Sequence, residues 1–245
     1  MLITGASRGI GAATARLAAS RGYAVCVNYR ANEDAANRIV REIVSAGGRA
    51  SAVKADVASD LEVCELFDRI DAELGTITAL VNNAGILSSQ CGILDLDADR
   101  INRILATNVT GPLLCAREAV RRMSTKCGGR GGAIVNVSSI AACTGAPGEY
   151  LDYAASKGAL DTLTVGLAAE VADAGIRVNG VRPGFIYTEM HADGGEAGRV
   201  DRLAPVIPMK RGGQPEEIAR AILWLLSDEA SYATGTTLNL AGGRR

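Results

Sequence analysis

Short apolar runs alternate with amphipathic stretches along nearly the whole chain, and no other feature restricts the fold as much. "MLITG" reads as a strand running into a glycine turn, and "YAVCVNY", "ASAVKADV", "TALVNNAG", "GGAIVNVSS", "IRVNGVRPG" and "GTTLNLAGG" read as further strands. Between them lie helical stretches. "IGAATARLAASRG" stops at Gly22. "NEDAANRIVREIVSAGG" starts on an Asn32 cap and places Ile39, Val40, Ile43 and Val44 on one face. "SDLEVCELFDRIDAELG" opens with Ser59 and Glu62 at capping-box spacing. The apolar period predicts a long helix over much of 98–125, another from Tyr153 to about Ala174, and a last one in "QPEEIARAILWLLSD" with Pro215 in its first turn. Strands separated by helices imply parallel pairing through right-handed crossovers. The expected fold class is therefore α/β: a doubly wound, seven-stranded parallel sheet with helices on both faces. No internal linker or repeat interrupts 1–245, which predicts one domain. The Gly-rich, charged segment 187–213 reads as a flap with a short helix, expected to close over a bound ligand.

Composition excludes several classes. The 245 residues carry a formal net charge of −1, so no global field favours nucleic acid or an anionic membrane. No apolar run is long enough to span a bilayer, and "MLITGAS" lacks the basic start of a signal peptide. The lead before the first glycine is short and leaves the first strand little room. The six cysteines, Cys26, Cys64, Cys91, Cys115, Cys127 and Cys143, form no C-x-x-C pair, and His191 is the one histidine. No metal site is expected from those ligands, and the thiols read as reduced and mostly buried, which makes the cytoplasm the expected location. His191 falls in the flap and reads as a surface residue; Asp95, Asp97 and Asp99 read as helix-start acids rather than a metal cluster.

Two local patterns point to chemistry. The first strand–helix turn, "TGASRGIG", holds Gly5, Gly9 and Gly11 in G-x-x-x-G-x-G spacing. Glycine suits a turn where the backbone must approach a pyrophosphate, and the helix N-terminus behind it offers free N–H groups. In "DYAASKGALD", Tyr153 and Lys157 stand four apart and share a helix face. The structural alternative is a tyrosine packed at a helix boundary beside a solvated lysine. None of the other five tyrosines has a lysine at that spacing; Tyr150 has Ala154 there.

"TGASRGIG", "NNAG" at 82–85, Asn108, "VSS" at 137–139, Tyr153-x-x-x-Lys157 and "RPG" at 182–184 follow one another in the order of the short-chain dehydrogenase/reductase family, which the chain resembles from end to end. "APGEYLDYAASK" and "PGFIYTEMHADGGEAGR" resemble most the bacterial branch labelled glucose 1-dehydrogenase-like or 3-oxoacyl-carrier-protein reductase-like. The resemblance implies a Rossmann fold and a nicotinamide cofactor. It implies Tyr153 as acid and base, with Lys157 lowering the phenol pKa and holding the nicotinamide ribose. Ser139, preferred over its neighbour Ser138, would hold the substrate oxygen, and Asn108 would kink a helix and hold a water beside the lysine. A polar residue bonding within its own helix is the alternative for Asn108. For the cofactor, the resemblance implies Gly5, Ser7, Arg8, Gly9, Ile10 and Gly11 at the phosphates. It implies Asp56 and Val57 against the adenine ring, Asn83 along the adenosine site, Thr188 at the carboxamide or phosphate, and Ala84, Gly85, Pro183, Gly184 and Ile186 as further cofactor contacts, beside Asn108, Tyr153 and Lys157. Family members commonly pair their two long helices into a homotetramer.

The end of the second strand selects between the two nicotinamide dinucleotides. A carboxylate there would bind the ribose hydroxyls and repel a 2′-phosphate. Here stand Asn28, Tyr29 and Arg30, with Arg8 nearby, while Glu33 and Asp34 come later as helix-start acids. The expected cofactor is NADP(H), NAD(H) being the alternative, and both arginines are solvated surface if neither holds. The expected function is NADP(H)-dependent interconversion of a secondary alcohol and a ketone on a small-molecule substrate, with no nucleic-acid or membrane partner. A catalytically silent NADP(H)-binding regulator is the second class, separated by cofactor turnover. Sugar and 3-oxoacyl thioester remain alternative substrates; "ILSSQCGILDLDAD" carries no basic patch for a carrier protein.

Overall fold

The computed structural model describes residues 1–244. Its seven strands are β1 (Leu2–Ile3), β2 (Ala24–Tyr29), β3 (Arg49–Lys54), β4 (Ala79–Asn82), β5 (Gly132–Val137), β6 (Ile176–Pro183) and β7 (Thr237–Leu240). They form one sheet in the order β3-β2-β1-β4-β5-β6-β7, and every pairing is parallel. Alternating side chains feed two apolar layers. Ile3, Val27, Val81 and Val135 face one, while Leu2, Cys26, Leu80 and Ile134 face the other. The first layer is closed by α1 (Gly9–Ser20), α2 (Glu33–Ser45) and α10 (Pro215–Leu226). The second is closed by α3 (Asp60–Glu73), α5 (Gly111–Met123) and α7 (Leu151–Val171). Strand order reverses between β1 and β4, where a crevice opens beyond the carboxyl ends of the strands.

The predicted caps hold: Asn32 accepts from Ala35 N–H at 3.0 Å and Ser59 from Glu62 N–H at 3.4 Å. Asp97 caps α4 (Ala98–Leu105), accepting from Arg100 N–H at 2.7 Å. Four details differ from expectation. The long helix over 98–125 is α4 and α5 joined by a π-helical turn, Ala106–Thr110, because Asn108 is drawn sideways by tertiary partners. Val44 is 53% exposed; of that face Ile39 and Ile43 are buried in the core and Val40 packs against it partly buried. α7 begins two residues before Tyr153 and ends at Val171. Cys26 and Cys115 are buried, but Cys127 and Cys143 are exposed, so the thiols divide rather than cluster inside. The flap folds into α8 (Met190–Asp193) and α9 (Arg199–Leu203), and the short α6 (Ala141–Thr144) follows β5. No helix of the described residues is long and apolar enough to cross a membrane. Among them no group of three His, Cys, Asp or Glu is placed to hold a metal ion.

Candidate active site

A cavity of about 710 Å³ occupies the switch-point crevice, running from the glycine loop past β4 and β5 to the flap. Gly9 turns with φ of +54°, and a Cβ there would lie 3.2 Å from Thr188 Cγ2. Arg8, the residue before α1, makes no side-chain cap, so the first N–H groups of that helix carry no capping side chain and suit an anion. Gly11 departs from its expected contact: it does not line the cavity. A Cβ on it would meet Asn83 Nδ2 at 2.6 Å and Gly5 O at 2.8 Å, so it lets the loop and β4 close on each other. Thr4 ties the same parts, accepting from Asn83 N–H at 3.0 Å and Ala84 N–H at 2.9 Å.

Gly5, Ser7, Arg8, Gly9, Ile10, Tyr29, Arg30, Asp56, Val57, Asn83, Ala84, Gly85, Pro183, Gly184, Ile186 and Thr188 all border the cavity. Asn28 borders it too, but its amide is spent on the fold. It accepts from Gly5 N–H at 3.2 Å and donates to Ala55 O at 3.0 Å and Val53 O at 3.3 Å. Asn82 is likewise structural, donating to Asn136 Oδ1 at 3.0 Å. The Arg30 side chain is 62% exposed and stands 3.7 Å from Asp56 Oδ2. Arg8 forms an ion pair with Asp193 of α8, tying the glycine loop to the flap.

Ser139, Tyr153 and Lys157 open on the same cavity from β5's end and from α7. Burial pushes the Tyr153 phenol up to about 12, against a downward pull from the Ser139 hydroxyl. Burial pushes the Lys157 ammonium down to about 8, with Asp161 opposing. Lys157 Nζ donates to Val137 O at 2.8 Å and lies 5.5 Å from the Tyr153 ring centre. The ammonium thus lies over the face of the phenol ring, a backbone carbonyl fixes its position, and the expected lowering of the phenol pKa by Lys157 is outweighed by burial.

Asn108 is fully buried and does not line the cavity. Its Oδ1 accepts from Ile86 N–H at 2.8 Å, and its Nδ2 donates to Ile86 O at 2.9 Å and Ser156 Oγ at 3.0 Å. Its side-chain bonds are thus tertiary, neither local to its helix nor aimed at the cavity. His191 also departs from expectation: it is half-buried, borders the cavity, and its Nε2 lies 3.1 Å from Ile186 O, with burial lowering its pKa.

The sequence reading missed three groups. Asp152, next to Tyr153, is buried against Arg100: Nε to Oδ2 is 2.6 Å, and Asp152 Oδ1 also accepts from Tyr153 N–H at 2.9 Å. Arg100 reaches on to Ser89 O at 2.7 Å, so the pair pins the loop after β4 to the start of α7. Opposite charges 52 residues apart leave no pattern in the chain. Arg100→Met strands a buried carboxylate and is expected to cost about 3–5 kcal/mol. Urea unfolding checks this, and a loss below about 1 kcal/mol contradicts a buried, coupled pair. Ser156, on α7's buried side, and Arg199, in the flap, are the other two. Arg199 is buried, ion-paired with Glu149 and with Glu196 at 3.0 Å, and stacked over Tyr150 at 5.1 Å.

A switch-point cavity lined by a glycine loop and a Tyr–Lys pair defines a class of dinucleotide-binding α/β proteins, and comparison with known proteins narrows it. The family model described as Enoyl-(Acyl carrier protein) reductase matches residues 5–245. The chain belongs to the short-chain dehydrogenase/reductase family of oxidoreductases, which bind a nicotinamide cofactor. It is 62% identical over 243 residues to the Escherichia coli (strain K12) protein named uncharacterized oxidoreductase YgfF, covering 99% of this chain and 98% of that one. A short-chain type dehydrogenase/reductase from Mycobacterium marinum superposes with a TM-score of 0.91 at 39% identity, over 99% of this chain and 93% of that chain. A 3-ketoacyl-(acyl-carrier-protein) reductase from Brucella melitensis, solved with NADH, superposes with a TM-score of 0.92 at 32% identity, over 99% and 96%.

Proposed function

We propose that this protein is an NADP(H)-dependent oxidoreductase that interconverts a secondary alcohol and a ketone, with Tyr153 as acid and base. The observation that carries the reading is the opening of Tyr153, Ser139 and Lys157 on the same cavity as the glycine loop. The residues fit a dinucleotide: the uncapped start of α1 suits a pyrophosphate, and Gly85 leaves room for Lys157, whose Nζ a Cβ there would meet at 3.3 Å. A bound nicotinamide supplies the hydride that reaches the carbonyl carbon in reduction.

In that direction Ser139 donates a hydrogen bond to the carbonyl oxygen, and Tyr153 delivers its proton to the same oxygen as charge develops there. Lys157 stabilises the phenolate left behind, and solvent returns the proton. In oxidation the phenolate takes the hydroxyl proton instead. Asn108 and the Arg100–Asp152 pair act as positioning groups, holding Ile86, Ser89 and the start of α7 around the reacting oxygen.

The NADP(H) preference rests on Arg30. It stands exposed at the end of β2, borders the cavity, and has only a long contact to Asp56. A guanidinium there can fork onto a 2′-phosphate, and charge-assisted bonds of that kind are worth roughly 1.5–3 kcal/mol. Arg30→Ala is expected to lower the NADPH-to-NADH ratio of kcat/KM by about tenfold or more. A ratio unchanged by the substitution removes Arg30 from the account.

The outer faces of α5 and α7 support a homotetramer. Leu113 is 47% and Val165 59% exposed, beside Gly158 and Gly166, where an added Cβ would meet nothing. Light scattering at micromolar concentration should give four times the 25.3 kDa chain mass; a monomer mass rejects the assembly.

A further inference from the structure

The cavity wall near Phe185 holds charge that the cofactor reading does not use. Phe185 follows Gly184 and lies under two guanidiniums, Arg199 at 5.5 Å and Arg244 at 4.8 Å from its ring centre. Both arginines border the same cavity as Tyr153. Arg199 is neutralised: Glu149 accepts from both Nη1 and Nη2 of its fork, and Glu196 accepts from Nη1 as well. Glu196 is in turn matched by Arg202. His191 is held by Ile186 O and brings no negative charge, and Glu189, which also borders the cavity, has its carboxylate towards Gly9, where a Cβ would lie 3.8 Å from Oε2. Arg244 has no carboxylate within ion-pair distance among the described residues; its backbone N–H bonds Ala241 O at 3.1 Å and its guanidinium stacks on Phe185. With Glu149 against Arg199 and Glu196 against Arg202, Arg244 is the guanidinium on Phe185 that has no carboxylate partner among the described residues.

A guanidinium held over an aromatic ring, partly out of water and without a carboxylate partner among the described residues, is preorganised for a planar anion. Leu87, Ile140 and Met190 border the same cavity and suit a short carbon chain. We infer that the substrate is an oxo acid, or in reverse a hydroxy acid: its carbonyl oxygen meets Tyr153 and its carboxylate meets Arg244. This rests on the oxidoreductase reading and gives it a substrate class. A sugar carries no such anion, and an acyl thioester has used its carboxylate in the thioester bond.

The test compares linear oxo acids of increasing carbonyl-to-carboxylate spacing with their methyl esters, using NADPH, in the wild type and in Arg244→Gln. A second readout needs no turnover: calorimetric binding of hexanoate against hexanamide to the NADP-loaded protein, again for both forms. The best acid should exceed its ester in kcat/KM by about tenfold or more, and Arg244→Gln should collapse that ratio towards unity. Hexanoate should bind more tightly than hexanamide, with the difference lost in the variant. Esters reduced as well as acids, or a ratio unmoved by Arg244→Gln, overturn the inference while leaving the reductase reading in place. Arg244-dependent hexanoate binding with no carbonyl reduced at all overturns the reductase reading and keeps the carboxylate site. No carboxylate preference in either assay overturns the site outright.

Discussion

Tyr153→Phe is expected to lower kcat by about 10³-fold while leaving NADPH affinity within about twofold. The substitution removes one oxygen from a buried ring and leaves the cavity wall in place, so the loss belongs to proton transfer rather than to binding. In the wild type, burial holds the phenol near 12, so it is protonated at neutral pH and ready as an acid. As a base it needs positive charge nearby, from Lys157 and the oxidised nicotinamide. Oxidation should therefore gain with rising pH more than reduction does. Near-normal turnover in Tyr153→Phe, measured alongside an unchanged NADPH titration, sinks the assignment.

Lys157→Met should separate stability from activity. The ammonium is buried, and its pKa falls from 10.5 to about 8. Between those values the unfolded chain binds more protons than the native one, so native stability rises with pH there, by up to about 3 kcal/mol in all. Below pH 8 the penalty for the buried charge is at its full size. Met removes that penalty and loses one hydrogen bond to Val137 O, worth about 1 kcal/mol. The variant is expected to be about 1–2 kcal/mol more stable at pH 7, to lack the gain above pH 8, and to lose about 10²-fold or more in kcat. Tyr153 works the other way: its raised pKa removes stability as pH climbs from 10 towards 12. Urea midpoints at a series of pH values read both. A Lys157→Met protein less stable than wild type at pH 7 contradicts the charge penalty.

The sheet was legible because its signal is local: each strand is a short apolar run, and alternating residues in it supply both layers. The glycine loop and the Tyr–Lys pair were legible for the same reason, since three or four residues set their spacing. What could not be read depends on contacts across the chain. The π-helical turn at 106–110 arises from Asn108 bonding Ile86, and the Arg100–Asp152 pair joins two elements with no shared motif. Arg8, expected at the cofactor phosphates, also pairs with Asp193 in the flap. His191 looked superficial because its segment is polar, but α8 folds it against Ile186. Val44 matched the apolar face of α2 by period alone, yet at the edge of that face it meets solvent.

The most direct test of the central claim follows the hydride itself. NADPH carrying deuterium at C4 of the nicotinamide is incubated with the protein and a panel of ketones and oxo acids, and the product alcohols are analysed by mass spectrometry. The account predicts deuterium on the carbinol carbon from one C4 face, with transfer at least about tenfold faster than from labelled NADH. Cofactor that binds yet delivers deuterium to no carbonyl contradicts the enzyme reading, and faster transfer from NADH contradicts the role of Arg30.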